Sequence, residues 1–207
     1  MCTTQAKVSE MMATCQAECE ESTFQLRAWL RFYIELIGAA NIDYAATVWH
    51  NFIIPKHRFI FLKIINEQLL NRDHLSRILT SDLCVVCENA LESHNHLFVD
   101  SIYTRKFVDS VENWAGCLSW PKCFRELQER KCPAKPDLDE LVLNAIYSAT
   151  LYKLWRNRNN CLFNVICHSA SFLSKEIKCM VKARVVGFHC INAKGKDSYI
   201  WRVVNSW

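Results

Sequence analysis

Two cysteines and a histidine near the middle of the chain have the residue types and the spacing of a metal site. Cys84 and Cys87 form a C-x-x-C pair, and His96 follows nine residues after the second cysteine. A C-x-x-C turn can present two sulfurs to one metal ion, and zinc takes four sulfur, nitrogen or oxygen ligands in a tetrahedron. The spacing therefore predicts a zinc site in which His96 is the third ligand.

The fourth ligand of this site is open from the sequence alone. Asp100 lies one helical turn after His96 and would share its face of a helix. The alternatives are His94, a distant cysteine such as Cys117 or Cys123, and water. The predicted cofactor is Zn²⁺. The predicted metal ligands are Cys84, Cys87, His96 and Asp100.

Other chemistries for these residues find less support. A redox dithiol also uses a C-x-x-C pair, but a thioredoxin-like site needs a strand–turn–helix context that the surrounding sequence does not show. Two buried cysteines and a hydrogen-bonded histidine are the simplest alternative. There is no glycine-rich phosphate loop, no G-x-S-x-G elbow and no H-E-x-x-H helix. A thiol enzyme is the least favoured hypothesis, because nothing singles out a nucleophile.

Helices are the elements that we expect to position these residues. Only four glycines and four prolines occur in 207 residues, which argues against an all-β fold with many tight turns. Hydrophobic residues make up 51% of the chain, enough for a sizeable core. Apolar spacing predicts helices that begin at Pro55, after His96, at Asp137, and at Ser169 or Ser171. The predicted fold class is mainly α, an irregular multi-helix domain with a zinc-knuckle loop.

Basic residues give the sequence a mild preference for an acidic partner. The net charge of +4 permits nucleic acid but does not require it. One group of cations lies at the start of the helix that begins at Pro55, and another is interleaved with aromatic residues between Trp155 and Phe163. Solvated helix faces are the alternative interpretation of both groups. The predicted nucleic-acid contacts are Lys56, Arg58, Lys63, Arg72, Arg156 and Arg158.

Five stretches of the chain resemble one known family. Val48–Phe61 is similar to the "VW…PKHRFILWLA" opening of the zinc-binding domain at the C-terminal end of plant non-LTR (LINE-type) retrotransposon reverse transcriptases. Leu69–Leu75 resembles its "L-x-T-R-D-R-L" segment. Asp82–Cys87 and Glu92–Phe98 resemble its "C-x-L-C…E-S-x-x-H-L-F-F-x-C" core. Leu154–Asn159 is similar to its "I-W-x-x-R-N" segment.

The resemblance covers roughly Tyr44–Phe163 and implies a mainly helical module with a Cys-Cys-His-Cys zinc site. Carried over residue by residue, it makes Cys84, Cys87 and His96 metal ligands. The last cysteine of the family falls at Ser101, so the resemblance also implies weakened or lost zinc binding. The polymerase motif of the family, an aromatic-x-Asp-Asp turn, is absent, and so is a recognisable nuclease domain.

These observations give one expected function and one alternative. We expect a non-catalytic zinc-binding module, derived from a retroelement reverse transcriptase, that assists nucleic-acid binding. The alternative is a metal-free helical protein-interaction domain with a vestigial zinc site. The expected partner is therefore nucleic acid or a protein. We expect neither a membrane partner nor a small-molecule substrate. The expected domains are an N-terminal helical segment (1–40), a reverse-transcriptase-type zinc-binding domain (41–132), and long C-terminal helices with a basic tail (133–207).

Export is not expected for this chain. Its first residues contain no apolar signal core, and no uncharged apolar run approaches the roughly 20 residues of a membrane span. Its twelve cysteines should then stay reduced. The expected location is inside the cell, in the nucleus or the cytoplasm.

Overall fold

The structure of the protein is a computed structural model that describes residues 45–72, 81–116, 118–130 and 136–189. The described part is mainly helical, which confirms the predicted fold class, and contains no β-sheet beyond one isolated backbone bridge. A π-helical turn spans His96–Asp100. The α-helices are α1 (Ala45–Val48), α2 (Pro55–Ile65), α3 (Ile102–Ala115), α4 (Phe124–Glu129), α5 (Leu138–Asn164) and α6 (Ala170–His189).

Local signals in the sequence fix where the main helices begin. Pro55 is the first residue of α2, where its missing N–H needs no partner. The helix start predicted at Asp137 is confirmed, and a capping box closes it: the N–H of Glu140 donates to Asp137 Oδ1 at 2.8 Å, and the N–H of Asp137 donates to Glu140 Oε2 at 3.0 Å. The predicted start of α6 is also confirmed, since the Ser169 side chain accepts from the N–H of Phe172.

Helix α5 is the central element of the described fold. It packs against α2 and α6 and touches the π-helical turn, while α3 packs on α6. With 27 residues α5 is about 40 Å long, and its middle is buried on several faces. Large apolar side chains from these helices fill the core, including Phe61 and Phe107. Each such side chain stabilises the fold by roughly 1.5–3 kcal/mol.

Parts of the sequence-based prediction lie outside the described residues. The N-terminal segment (1–40) and the basic tail beyond residue 189 are among them. The boundary predicted between residues 132 and 133 stays a prediction. Among the described helices, none combines the length and the apolar run that a membrane crossing requires.

Candidate metal centre

The cysteine pair lies in a tight loop that backbone hydrogen bonds close. An isolated antiparallel bridge pairs Leu83 with Leu91, and the N–H of Cys84 donates to Ala90 O at 2.8 Å. Inside the loop the N–H of Glu88 donates back to Cys84 O, and Glu88 adopts a φ of 53°. This left-handed residue turns the chain directly after Cys87. The loop thus holds both sulfurs on a short, well-bonded turn.

The structure brings the three predicted ligands Cys84, Cys87 and His96 together. Their ligand atoms all lie within 4.8 Å of one another, and Cys87 Sγ is 3.1 Å from His96 Nε2. Zinc–sulfur bonds of about 2.3 Å and zinc–nitrogen bonds of about 2.0 Å place tetrahedral sulfur and nitrogen ligands about 3.5 Å apart. Two thiols and an imidazole at this spacing therefore fit a zinc ion.

Asp100 lies behind His96 instead of joining this group. Its Oδ1 is 3.2 Å from Nδ1 of His96, the ring nitrogen that faces away from the sulfurs. Its Oδ2 accepts from Asn95 Nδ2 at 2.6 Å, and Asn95 in turn accepts from the N–H of Phe124. A carboxylate on Nδ1 fixes the tautomer that leaves the Nε2 lone pair for a metal. In the described geometry Asp100 therefore contacts the far side of the imidazole, and its predicted role as a ligand stays a prediction.

A π-helical turn determines where residue 101 lies relative to His96. The N–H of Ser101 donates at 2.9 Å to the carbonyl of His96, five residues back along the chain instead of the four of an α-helix. An α-helix would turn residue 101 about 140° away from His96, and the wider turn brings it back towards the same side. The hydroxyl of Ser101 is buried as the N-cap of α3, where it accepts from the N–H of Thr104 and donates to Thr104 Oγ1.

The other candidates for the fourth ligand have different surroundings. His94 is buried between the rings of Phe98 and Phe124. Cys123 is exposed at the start of α4, and Cys117 lies outside the described residues. Neither His94 nor Cys123 belongs to the three-residue group found in the described part of the chain. That group therefore leaves one position of a zinc tetrahedron for water or for a further ligand.

Burial raises the pKa of two thiols. It raises the pKa of Cys84 to about 11, so that the free thiol keeps its proton at neutral pH, and metal binding must release that proton. Burial also raises the pKa of Cys161, at the end of α5, to about 12. A catalytic thiol needs a lowered pKa, so neither cysteine supports the thiol-enzyme hypothesis.

A buried ion pair joins the loop that carries the two cysteines (residues 82–92, the metal loop) to α5. Glu92 is completely buried, and Nη2 of Arg158 donates to its Oε1 at 2.7 Å. The same oxygen accepts from the N–H of Arg72, whose guanidinium donates to Leu83 O. Sequence reasoning missed Glu92 as a partner, although it stands in the quoted E-S-x-x-H stretch. The pair links two motifs of the family resemblance, since Arg158 is the arginine of the segment similar to I-W-x-x-R-N.

Three of the six predicted nucleic-acid contacts are therefore engaged inside the protein. Arg72 and Arg158 support the metal loop. Arg58 is buried and donates from Nε to Ile53 O at 2.8 Å. Burial, with the nearby charge of Arg184, lowers the pKa of Arg58 to about 10. These guanidinium groups hold loops in place in this conformation.

The remaining three predicted contacts lie at the surface. Lys56 is exposed, and its amine lies over the ring of Tyr152 at 5.3 Å. Arg156 is exposed one turn further along α5, on the same face as Tyr152, and Trp155 packs beside Tyr152. Lys63 is on the same helix as Lys56, and its amine lies over the ring of Phe59, one turn earlier, at 4.8 Å from the ring centroid. Lys56 and Arg156 thus flank an aromatic surface.

Comparison with known proteins bears on the stretch that contains the metal loop. Residues 31–107 match a family model described as zinc-binding in reverse transcriptase. This match supports a reverse-transcriptase zinc-binding domain here and confirms the resemblance at that level. The description names a zinc-binding domain and not a polymerase, in agreement with the predicted non-catalytic module. No curated protein and no solved structure matches the chain.

Proposed function

We propose that the protein is a non-catalytic zinc-binding module, derived from a plant LINE-type reverse transcriptase, that assists nucleic-acid binding. The observation that carries the zinc part is the group of Cys84, Cys87 and His96, with Nε2 of the imidazole turned towards the sulfurs. A bound Zn²⁺ would supply structural cross-linking between the loop and the π-helical turn. The side chains of Asp100 and Asn95 hold the imidazole in place for that purpose.

The nucleic-acid part rests on the surface around Lys56 and Arg156. Two exposed cations flank the rings of Tyr152 and Trp155, and cations beside aromatic faces suit phosphates and unstacked bases. The buried arginines contribute by holding loops in place, because Nε of Arg58 is bonded to Ile53 O and the guanidinium of Arg158 to Glu92.

The zinc-to-protein ratio of the purified, reduced chain tests the metal site. After dialysis against a mild chelator we expect a ratio near one for the natural sequence. Cys87→Ser should lose the metal, and Cys179→Ser, at an exposed cysteine on α6, should keep it. A ratio that does not differ between the two variants would place any bound zinc elsewhere.

Fluorescence anisotropy with a labelled single-stranded oligonucleotide at low salt tests the nucleic-acid surface. We expect the double variant Lys56→Ala/Arg156→Ala to weaken binding and to lower the salt slope by about 1.4. The matched control is Arg105→Ala/Lys106→Ala, which removes two exposed cations from α3. Equal losses in both double variants would mean that only the net charge matters.

A metal-free protein-interaction domain is the second candidate. It is favoured by Ser101, which replaces the cysteine of the family, and by an exposed apolar corner at the end of α5. Phe163 is 74% exposed there and Val165 is 90% exposed. A purified chain that holds no zinc but keeps its helices by circular dichroism would select this candidate.

A further inference from the structure

A cavity between α5 and α6 has the lining of a ligand pocket. Its volume is about 150 Å³. It adjoins the surface described above, because Arg156 belongs to both. The side chains that matter for its chemistry are Lys153, Arg156, Asn160, His168, Phe172 and Glu176.

One wall of this cavity is aromatic and firmly held. The rings of His168 and Phe172 stack with centroids 5.2 Å apart and planes inclined by 22°. The backbone of His168 is bonded on both sides, since its N–H donates to Asn157 Oδ1 and its carbonyl accepts from the hydroxyl of Tyr103. Phe172 is still 48% exposed, which leaves ring surface open for stacking.

The charges around the cavity favour an anionic ligand. The amine of Lys153 is buried and donates to Glu176 Oε2 at 2.8 Å, so the carboxylate in the cavity is already neutralised. Arg156 is exposed and makes no ion pair among the described residues. Its planar guanidinium suits a phosphate group. Asn160 adds an amide at the rim that can meet the polar edge of a base.

We propose that this pocket binds one pyrimidine nucleotide, with its ring against His168 and Phe172 and its phosphate at Arg156. A cavity of this volume matches a single six-membered ring, as benzene-sized ligands show, so that a pyrimidine fits inside it whereas part of a purine would extend past its open side. In the proposed function, on which this inference rests, the nucleotide belongs to a single strand that passes over Lys56 and Tyr152. A free nucleoside monophosphate offers the same chemistry, so the test separates the two sources.

The test uses the full zinc-loaded chain and a labelled twelve-nucleotide oligo-dT in an anisotropy titration. We expect Phe172→Ala and Arg156→Ala each to weaken binding by about 10-fold, in line with the loss of one stacked base or one phosphate contact. The matched controls are Phe163→Ala, an exposed ring outside the pocket, and Arg105→Ala, an exposed arginine on α3. All four residues are exposed, and unchanged thermal unfolding checks that each variant folds.

Three outcomes would overturn the proposal, each in a recognisable way. If the natural sequence binds tightly and Phe172→Ala and Phe163→Ala change the affinity equally, the pocket is not the binding site, and the proposed function still holds. If the natural sequence does not bind oligo-dT, the pocket proposal and the proposed nucleic-acid function are both wrong. Tighter binding of oligo-dA than of oligo-dT removes the pyrimidine assignment. Displacement of the labelled oligo-dT by unlabelled competitors separates the two sources. If UMP displaces it only at concentrations far above those at which unlabelled oligo-dT does, the ligand is a strand. If UMP displaces it at the same concentration as unlabelled oligo-dT, the ligand is a free nucleotide.

Discussion

At the scale of single residues, the metal site depends on side chains that do not themselves reach the metal position. The carboxylate of Asp100 holds His96 from behind, and the amide of Asn95 holds the carboxylate. Outer partners of this kind keep a ligating histidine ring in one orientation. The affinity of the site should therefore respond to residues outside the group of Cys84, Cys87 and His96.

Replacing Asp100 tests its positioning role. We expect Asp100→Ala to lower zinc affinity by about 10- to 100-fold, because His96 loses the partner of its Nδ1. Competition with a chromophoric chelator measures the change, and Asp109→Ala, at an exposed position on α3, is the control. A complete loss of zinc would instead make Asp100 a ligand, as the sequence predicted, and an unchanged affinity would give it neither role.

Placing a cysteine at position 101, where the family resemblance implies one, tests the π-helical turn. We expect Ser101→Cys to raise zinc affinity by at least about 10-fold, because the turn brings this position towards the side of His96 and a thiolate would supply a fourth ligand. Ser101→Ala is the control and should lose both hydrogen bonds of the hydroxyl to Thr104, including the cap of α3, at a cost of about 1 kcal/mol in folding free energy. If both variants bind zinc like the natural chain, the side chain at position 101 does not reach the site.

At the scale of elements, the metal loop is held against α5 by the pair of Glu92 and Arg158. The pair is buried and its partners are 66 residues apart in sequence. Arg72 adds a backbone donor to the same carboxylate. Loss of one partner would leave an uncompensated charge in the interior, which is more costly than the net contribution of the intact pair.

Two arginines of α5 provide a matched test of this difference. We expect Arg158→Met to lower the free energy of unfolding by about 3–5 kcal/mol, because Glu92 loses its counter-charge. Arg156→Met, two residues earlier and exposed, should change it by less than about 0.5 kcal/mol. Urea unfolding of the metal-free chains measures both values. Similar losses in the two variants would contradict the assignment of a structural role to Arg158 alone.

At the scale of the whole molecule, the core of the described residues is built mainly by the helices and not by the metal group. Helices α2, α3 and α6 bury large apolar side chains together with the central helix α5, and the metal loop contacts this bundle.

The contact between α2 and α5 contains a buried histidine. His57 is buried there and stacks on Tyr152, with ring centroids 4.5 Å apart.

The acid stability of the metal-free chain should depend on His57. Burial, with the charges of Lys56 and Lys153, lowers the pKa of His57 to about 3. The unfolded chain takes up this proton near pH 6.5, so stability is full above that pH and is lost as the pH falls from 6.5 towards 3. We expect this residue to account for about 1.5 kcal/mol between pH 6.5 and 5.

Urea unfolding at pH 7.5 and at pH 5, with a chelator present, measures this effect. His57→Phe keeps an aromatic ring against Tyr152 but does not titrate, so its stability should fall less between the two pH values. A loss as large as that of the natural chain would assign the acid sensitivity to another group.

The sequence by itself determined the parts of this protein that depend on near neighbours. Pro55 and the box of Asp137 and Glu140 mark helix starts, because a helix end is satisfied by residues within one turn. The C-x-x-C pair followed by a histidine indicated the metal group, since all its members lie within 13 residues.

Only the tertiary structure decided which charged residues hold the fold and which remain at the surface. Arg156 and Arg158 look alike in the sequence, and they differ because α5 turns one to solvent and the other to Glu92. The position of Asp100 behind the imidazole also came only from the structure, since the direction of the ring of His96 depends on where the metal loop packs. Burial and pairing are set by residues far away along the chain, and local patterns do not contain that information.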